Sequence, residues 1–292
     1  MIIFSTVQKA APRKTYRRTT ARVRALTNTM SQAARVDFLS GIKSFKKKIS
    51  EKTLSDAWLS GNYNSIYSLV PWSELPDELD QYRAHMARSM GEFSDLAPLP
   101  AQADKNLRFD LKNRRIQDYV DRRTGRLVTD ISTDARKVIQ QAVEKQLRES
   151  IPVPTMARLI KPMIGLYPQQ ATALINYQST LESQGLPRTR IDKLVDQYHD
   201  RLLDYRAKMI AKTETQAVQN QGQQLVWQAA AAEGLIGQGS QKVWQVDGNP
   251  CPECTELDGE SVGLHDQFSA GVDGPPLHPN CECILTIEIS EA

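Results

Sequence analysis

The chain has 292 residues, 40% of them hydrophobic and 24% charged, with a net charge of +3 at pH 7. That length can bury a sizeable core and leaves room for two folded units, and the composition excludes both a wholly disordered chain and an integral membrane protein. No apolar run approaches the roughly 18–20 residues that span a bilayer, and Met1-Ile2-Ile3-Phe4 puts its apolar residues ahead of the basic ones, the reverse of a secretory signal. Synthesis and first use in the cytoplasm are therefore expected.

Charge is unevenly placed. Residues 1–52 hold thirteen Lys/Arg against Asp37 and Glu51, a local charge of +11 that leaves −8 for the rest of the chain. This predicts a basic arm over residues 1–52, extended at first and with a helix from Ser31 to Ile49. An arm of this sign seeks phosphates or an acidic protein surface, with Arg13, Lys14, Arg17, Arg18, Arg22 and Arg24 as the candidate contacts. The plain alternative is a solvated tail.

Residues 53–125 form a second segment. Aromatic residues are dense from Leu54 to Met90, and Pro71 and Pro76 punctuate them, which predicts short packed helices. Residues 94–106 are rich in proline and small polar residues and predict a linker or surface loop.

A helical body is expected over 126–236. Ile131, Ala135, Val138, Ile139, Ala142, Val143 and Leu147 recur at helical spacing, with Ser132 as N-cap. Pro168 then suits a first helical position, Ala171, Leu174, Ile175, Gln178 and Leu181 form a stripe, and Gly185 followed by Pro187 makes a stop. The longest pattern begins near Thr189, where Ile191, Leu194, Val195, Tyr198, Leu202, Tyr205 and Met209 advance in steps of three and four. This seam is expected to pack on the two preceding helices. From Thr213 to Gln224 the only charged residue is Glu214, and six positions are Gln or Asn, so this part of the helix either lies against protein or is a polar surface.

The last segment, 237–292, changes period. Val243–Val246 has strand propensity, Asp258-Gly259 is a hairpin-type turn, and Cys283, Leu285, Ile287 and Ile289 alternate with Ile284, Thr286 and Glu288. The fold class expected is mainly α: a helical body with a long helix, followed by a small β-rich module stapled by zinc.

All four cysteines lie in that module. Cys251-Pro-Glu-Cys254 is a C-x-x-C knuckle, and Cys281-Glu-Cys283 follows it with His278 just upstream. Tetrahedral Zn²⁺ takes four soft or borderline ligands, and two short pairs supply them with little loop-closure entropy. Five candidates compete for four places. Cys281 and Cys283 share one side of a strand and give a four-cysteine site; otherwise His278-x-x-Cys281 is the second knuckle and Cys283 packs. Unmetallated cysteines or a disulfide are the remaining readings.

Trp244 to Asp247, Cys251-Pro-Glu-Cys254, Leu257-Asp258-Gly259, Pro275-Pro276 and His278-Pro-Asn-Cys281-Glu-Cys283 together resemble the C-terminal signature of the Mu F-like head morphogenesis family. Upstream, Arg206-Ala207, Ile210 to Thr215 and Asn220-Gln-Gly222 resemble the helix before that signature, with Lys212 where the family usually has Arg. The resemblance covers roughly residues 130–290. It implies a non-enzymatic minor capsid protein of a tailed phage, made in the host cytoplasm and carried in the virion head at the portal vertex. Its implied partners are the portal and other head proteins, with a role in procapsid assembly or in DNA packaging or ejection. The basic arm could meet packaged DNA; no membrane or small-molecule substrate is implied.

Two other classes compete. Pro250-Cys251-Pro-Glu-Cys254 also fits half of a zinc deaminase signature, but the required upstream His-x-Glu or Cys-x-Glu is missing. A hydrolase or nuclease on the cysteine module would need groups such as His265 and Asp266, which suit a surface loop better. A freestanding zinc-containing DNA-binding protein is disfavoured because residues 237–292 hold Lys242 and no Arg against ten Asp/Glu.

Overall fold

The computed structural model describes residues 14–16, 20–100, 114–246 and 249–290, with side chains from Val23 onward. In chain order the elements are β1 (Lys14–Tyr16), α1 (Thr20–Lys48), α2 (Glu51–Leu59), α3 (Tyr63–Ile66), α4 (Leu75–Glu78), α5 (Asp80–Asp95), α6 (Arg114–Glu149), α7 (Val153–Met163), α8 (Pro168–Ser183), α9 (Arg188–Ala232), β2 (Gln241–Gln245), α10 (Pro252–Glu256), β3 (Ser261–Gly263) and β4 (Ile284–Ile289). The protein is mainly α with a small antiparallel sheet near its C-terminus, as its sequence periods predict. It divides into two compact units, one of residues 31–86 and 117–211, the other of residues 1–30, 87–116 and 212–292.

In the first unit, α8 follows its pattern closely: Ala171, Leu174, Ile175, Gln178 and Leu181 are its buried residues, and Gly185 ends it at φ 69°. The sequence departs from expectation in α6. Ser132 is no N-cap, because the helix starts at Arg114 and runs through residue 125; the Ser132 hydroxyl donates to the Thr129 carbonyl and Thr129 to that of Gly125. Local hydroxyl bonds of this kind fit inside a helix as well as at its start. Leu147, expected on the apolar stripe, is exposed, whereas Gln146 and Lys145 are buried. Gln146 accepts the indole N–H of buried Trp58 at 2.6 Å, and Lys145 is bonded to Glu149, so polar partners outside the apolar pattern decide which residues turn inward.

The seam of α9 is rotated in the same way. Ile191, Val195, Leu203, Ala207 and Ile210 are buried, whereas Leu202 is half-buried and Tyr205 exposed. Arg206 takes the inward place. Its guanidinium donates to Asp134 at 2.8 Å and lies 4.0 Å over the Tyr167 ring, a burial that only a carboxylate and an aromatic face make tolerable. The expected packing on α6 and α8 holds: Gln170 donates to the Leu202 carbonyl, and the Tyr177 and Tyr198 rings meet at 4.7 Å.

The helix expected from Ser31 starts at Thr20, so the basic run from Arg22 to Lys48 is helical rather than an extended arm. In this unit Arg35 is paired with Asp204 and Lys48 with Glu74 and Glu78, so part of the positive charge is neutralised inside the chain.

The second unit carries the sheet, in the order β1-β4-β2-β3. β4 pairs with β2 from Gln245↔Ile284 to Gln241↔Glu288, and β1 adds to its other edge from Lys14↔Ile289 to Tyr16↔Ile287. Cys283, Leu285, Ile287 and Ile289 face inward onto Trp227, Trp244, Leu264 and Phe268, as the sequence predicts, while Thr286 on the alternate face is buried as well. Trp227 also donates its indole N–H to Pro98.

Candidate metal centre

Two limbs build the centre. The first is the short helix α10, whose N-cap is Cys251. The Cys251 sulfur accepts the Cys254 N–H at 3.4 Å, so the C-x-x-C turn brings both sulfurs to one side. The second limb runs from His278 to Cys283 into β4. Asn280, at φ 61°, makes the bend that turns Cys281 back under His278, whose carbonyl accepts the Cys281 N–H.

The limbs converge through side chains. His278 Nε2 lies 3.2 Å from Cys251 Sγ and 3.3 Å from Cys254 Sγ, and Cys254 Sγ lies 3.7 Å from Cys281 Sγ. Two ligand triads result, Cys251/Cys254/His278 and Cys254/Cys281/Cys283, each with all its donor atoms within 4.8 Å of one another and sharing Cys254. A tetrahedral ion with Zn–S bonds of about 2.3 Å spaces its sulfurs by about 3.8 Å, so the Cys254–Cys281 separation fits one edge of such a site. His278 Nδ1 faces the Pro279 carbonyl at 2.9 Å. A carbonyl only accepts, so Nδ1 carries a proton, and Nε2 is the nitrogen that faces the sulfurs and would bind a metal. The five residues proposed from sequence are thus brought together, and they can hold a metal ion.

Their electrostatics fit a cation. The Cys283 thiol donates to Cys281 and lowers it to about 5, and the same bond holds Cys283 far above the usual thiol range. Burial pushes Cys254 up to about 12, while the Cys254 N–H draws Cys251 down. A divalent ion would offset the mutual repulsion of several thiolates gathered here. The bond from His278 to the Pro279 carbonyl raises that imidazole.

What sequence reasoning only half saw is the face of α9 against this module. Lys212, Gln216, Asn220, Gln224 and Gln228 stand four residues apart, on one side of the helix. Lys212 pairs with Glu282, and the Thr213 hydroxyl accepts the Asn280 N–H at 3.0 Å. Gln216 and Asn220 donate to the Cys283 carbonyl at 2.8 and 3.3 Å, and Gln224 and Gln228 to that of Leu264 at 3.2 and 2.8 Å. The charge-poor stretch lies against protein because its amides satisfy backbone groups of loops that have no sheet partner there.

The other candidates fare differently. His265 and Asp266 are exposed and join no metal-ligand group among the described residues. Of the arm contacts, Arg13, Arg17 and Arg18 fall outside the described residues, Lys14 and Arg22 are described by backbone alone, and Arg24 is exposed on α1. No helix among the described residues is long and apolar enough to cross a membrane. A half-buried pair that sequence gave no sign of is Lys46 and His199, 2.9 Å apart, with Lys46 also donating to the Pro162 carbonyl.

Residues 183–286 match the family model described as Phage Mu protein F like protein. The matched segment takes in the whole of α9 and the module up to the middle of β4, and so contains every ligand of the candidate centre. It bears out the family resemblance drawn from sequence, over a shorter span than 130–290, and at the coarse level points to phage head morphogenesis and association with the virion. No curated protein and no solved structure matches the chain.

Proposed function

We propose that this chain is a non-enzymatic minor capsid protein of a tailed phage, bound near the portal vertex and acting in procapsid assembly or in packaging or ejection of DNA. The observation that carries this reading is the family match over residues 183–286. Four protein ligands on one ion support a structural role, because they leave no position for substrate whereas catalytic zinc keeps one open. Cys251, Cys254 and Cys281 would hold a structural zinc ion, completed by His278, whose Nε2 faces both knuckle sulfurs. Cys283, 1% exposed, then packs beside it. The bound ion supplies a cross-link between α10 and the start of β4. The basic residues ahead of α1 are assigned to packaged DNA or an acidic portal surface.

Two measurements test this. Elemental analysis of the protein purified under reducing conditions should give about one zinc per chain, and none would overturn the metal reading. Removing the chain from the assembling phage should yield defective or DNA-free heads by electron microscopy, with the protein found by mass spectrometry in wild-type particles. Full infectivity without it would overturn the assembly role.

A further inference from the structure

We infer that Gln216 and Asn220 of α9 are positioning residues for the metal centre, holding the Cys281–Cys283 limb at the separation from the Cys251–Cys254 knuckle that an ion needs; this rests on the metal reading above. The sheet cannot do this itself. Its last β2–β4 pair is Gln245↔Ile284, so the backbone of residues 281–283 lies beyond the ladder. Gln216 Nε2 and Asn220 Nδ2 both donate to the Cys283 carbonyl, and Asn220 Oδ1 accepts the Leu285 N–H at 3.0 Å. Asn220 Nδ2 also reaches the Pro275 carbonyl at 3.1 Å. Both amides are almost fully buried, so their geometry is set by packing and no water competes for the carbonyl. Cys281 and Cys283 flank Glu282 on this limb, and rotation of the Cys283 peptide would swing both sulfurs. Partners outside the ligand set that orient it are worth about 10–100-fold in metal affinity.

The ladder supplies its own control. Gln224 is the same residue type as Gln216, two turns along the same face and equally buried, but it bonds Leu264 and not the cysteine limb. Zinc affinity of the full chain would be measured by competition with a chromophoric chelator, and the site's geometry by the absorption of its Co²⁺ form. Gln216→Leu removes one bond to Cys283. Asn220→Asp keeps the acceptor for Leu285 and turns an oxygen toward the Cys283 carbonyl. Both variants should lose about 10–100-fold in zinc affinity and alter the Co²⁺ spectrum, with Gln224→Leu within about twofold of wild type. Far-UV circular dichroism checks the helices; if Asn220→Asp does not fold, Gln216→Leu decides alone. Wild-type affinity in the variants, or an equal loss in Gln224→Leu, would overturn the inference while leaving the metal reading intact. Failure of the wild-type chain to bind zinc would overturn both.

Discussion

Asn220 stands to Leu285 as a neighbouring strand would: its side-chain oxygen accepts the Leu285 N–H at 3.0 Å while its nitrogen donates to the carbonyl of Cys283, two residues back. A carboxamide on a helix thus replaces two ladder bonds on the edge of β4 beyond its last pair with β1, Tyr16↔Ile287. Each such bond contributes only about 1 kcal/mol net, but an orphaned buried group costs about 1–3 kcal/mol, so removing the amide destabilises by more than its bonds contribute. The long helix and the sheet of this unit are joined by directional bonds as well as by the apolar contacts around Trp227 and Trp244.

Gly222, on the same turn, serves the opposite side of α9. A Cβ there would lie 2.7 Å from the Met90 carbonyl oxygen and 2.9 Å from the Ser94 hydroxyl, which is itself bonded to Met90. Alanine normally favours a helix over glycine by about 1 kcal/mol. Here the backbone of α5 cannot yield, and Gly222→Ala should lower stability by about 1–3 kcal/mol in urea unfolding. A variant at least as stable as wild type would mean that α5 moves freely away.

The rotated seam of α9 gives a paired test. Leu203 is 1% exposed and Leu202 only half-buried. Leu203→Ala should therefore cost about 2–5 kcal/mol, and Leu202→Ala clearly less, measured by thermal melting of the two variants side by side. The reverse order would restore the seam read from apolar spacing alone.

That spacing explains what was legible in the chain and what was not. Period identified α8 to the residue and the alternation in β4 because in both the inward positions are apolar or nearly so. It failed at Tyr205 and Leu147, where neighbouring Arg206 and Gln146 turn inward to Asp134 and Trp58, partners 72 and 88 residues away in sequence. Long-range polar bonds leave no periodic trace. The five metal-ligand candidates were legible because knuckles are local. Their support from α9 showed only as a shortage of charge between Thr213 and Gln224, which marks a covered surface without naming its cover.

Lys46 carries a pH dependence. Burial lowers it from 10.5 to about 7, opposed by Asp200 and Asp196 on α9 and assisted by Lys161 on α7 and Lys43 on α1. Burial likewise lowers its partner His199 from 6.5 to about 4. In both cases the unfolded chain binds the proton more readily, so stability is lost as pH falls, from about 10.5 to 7 through Lys46 and from about 6.5 to 4 through His199. Lys46→Met should flatten the wild-type slope between pH 7 and 10 in urea unfolding. An unchanged slope would show that Lys46 stays protonated in the fold.

The basic segment ahead of α1 is tested by charge rather than by truncation, because β1 pairs its backbone with β4 and Val23 of α1 is buried, so deleting residues 1–30 would damage the fold. Replacing Arg13, Lys14, Arg17 and Arg18 with Gln removes four charges while keeping the Lys14–Tyr16 backbone. If these residues hold DNA phosphates, the interaction is electrostatic and weakly sequence-specific, and affinity falls linearly with salt on logarithmic axes. Every phosphate left without its cation reduces that slope by about 0.9 on duplex DNA, so the fourfold variant should show a slope shallower by up to about 3–4 and bind any sequence more weakly. Fluorescence anisotropy across a salt series measures this directly, and circular dichroism confirms the fold. Weakened capture of the portal with unchanged DNA binding would assign the segment to an acidic protein surface. If neither changes, the segment is a solvated tail, and attachment lies in α9, the sheet or the other helices.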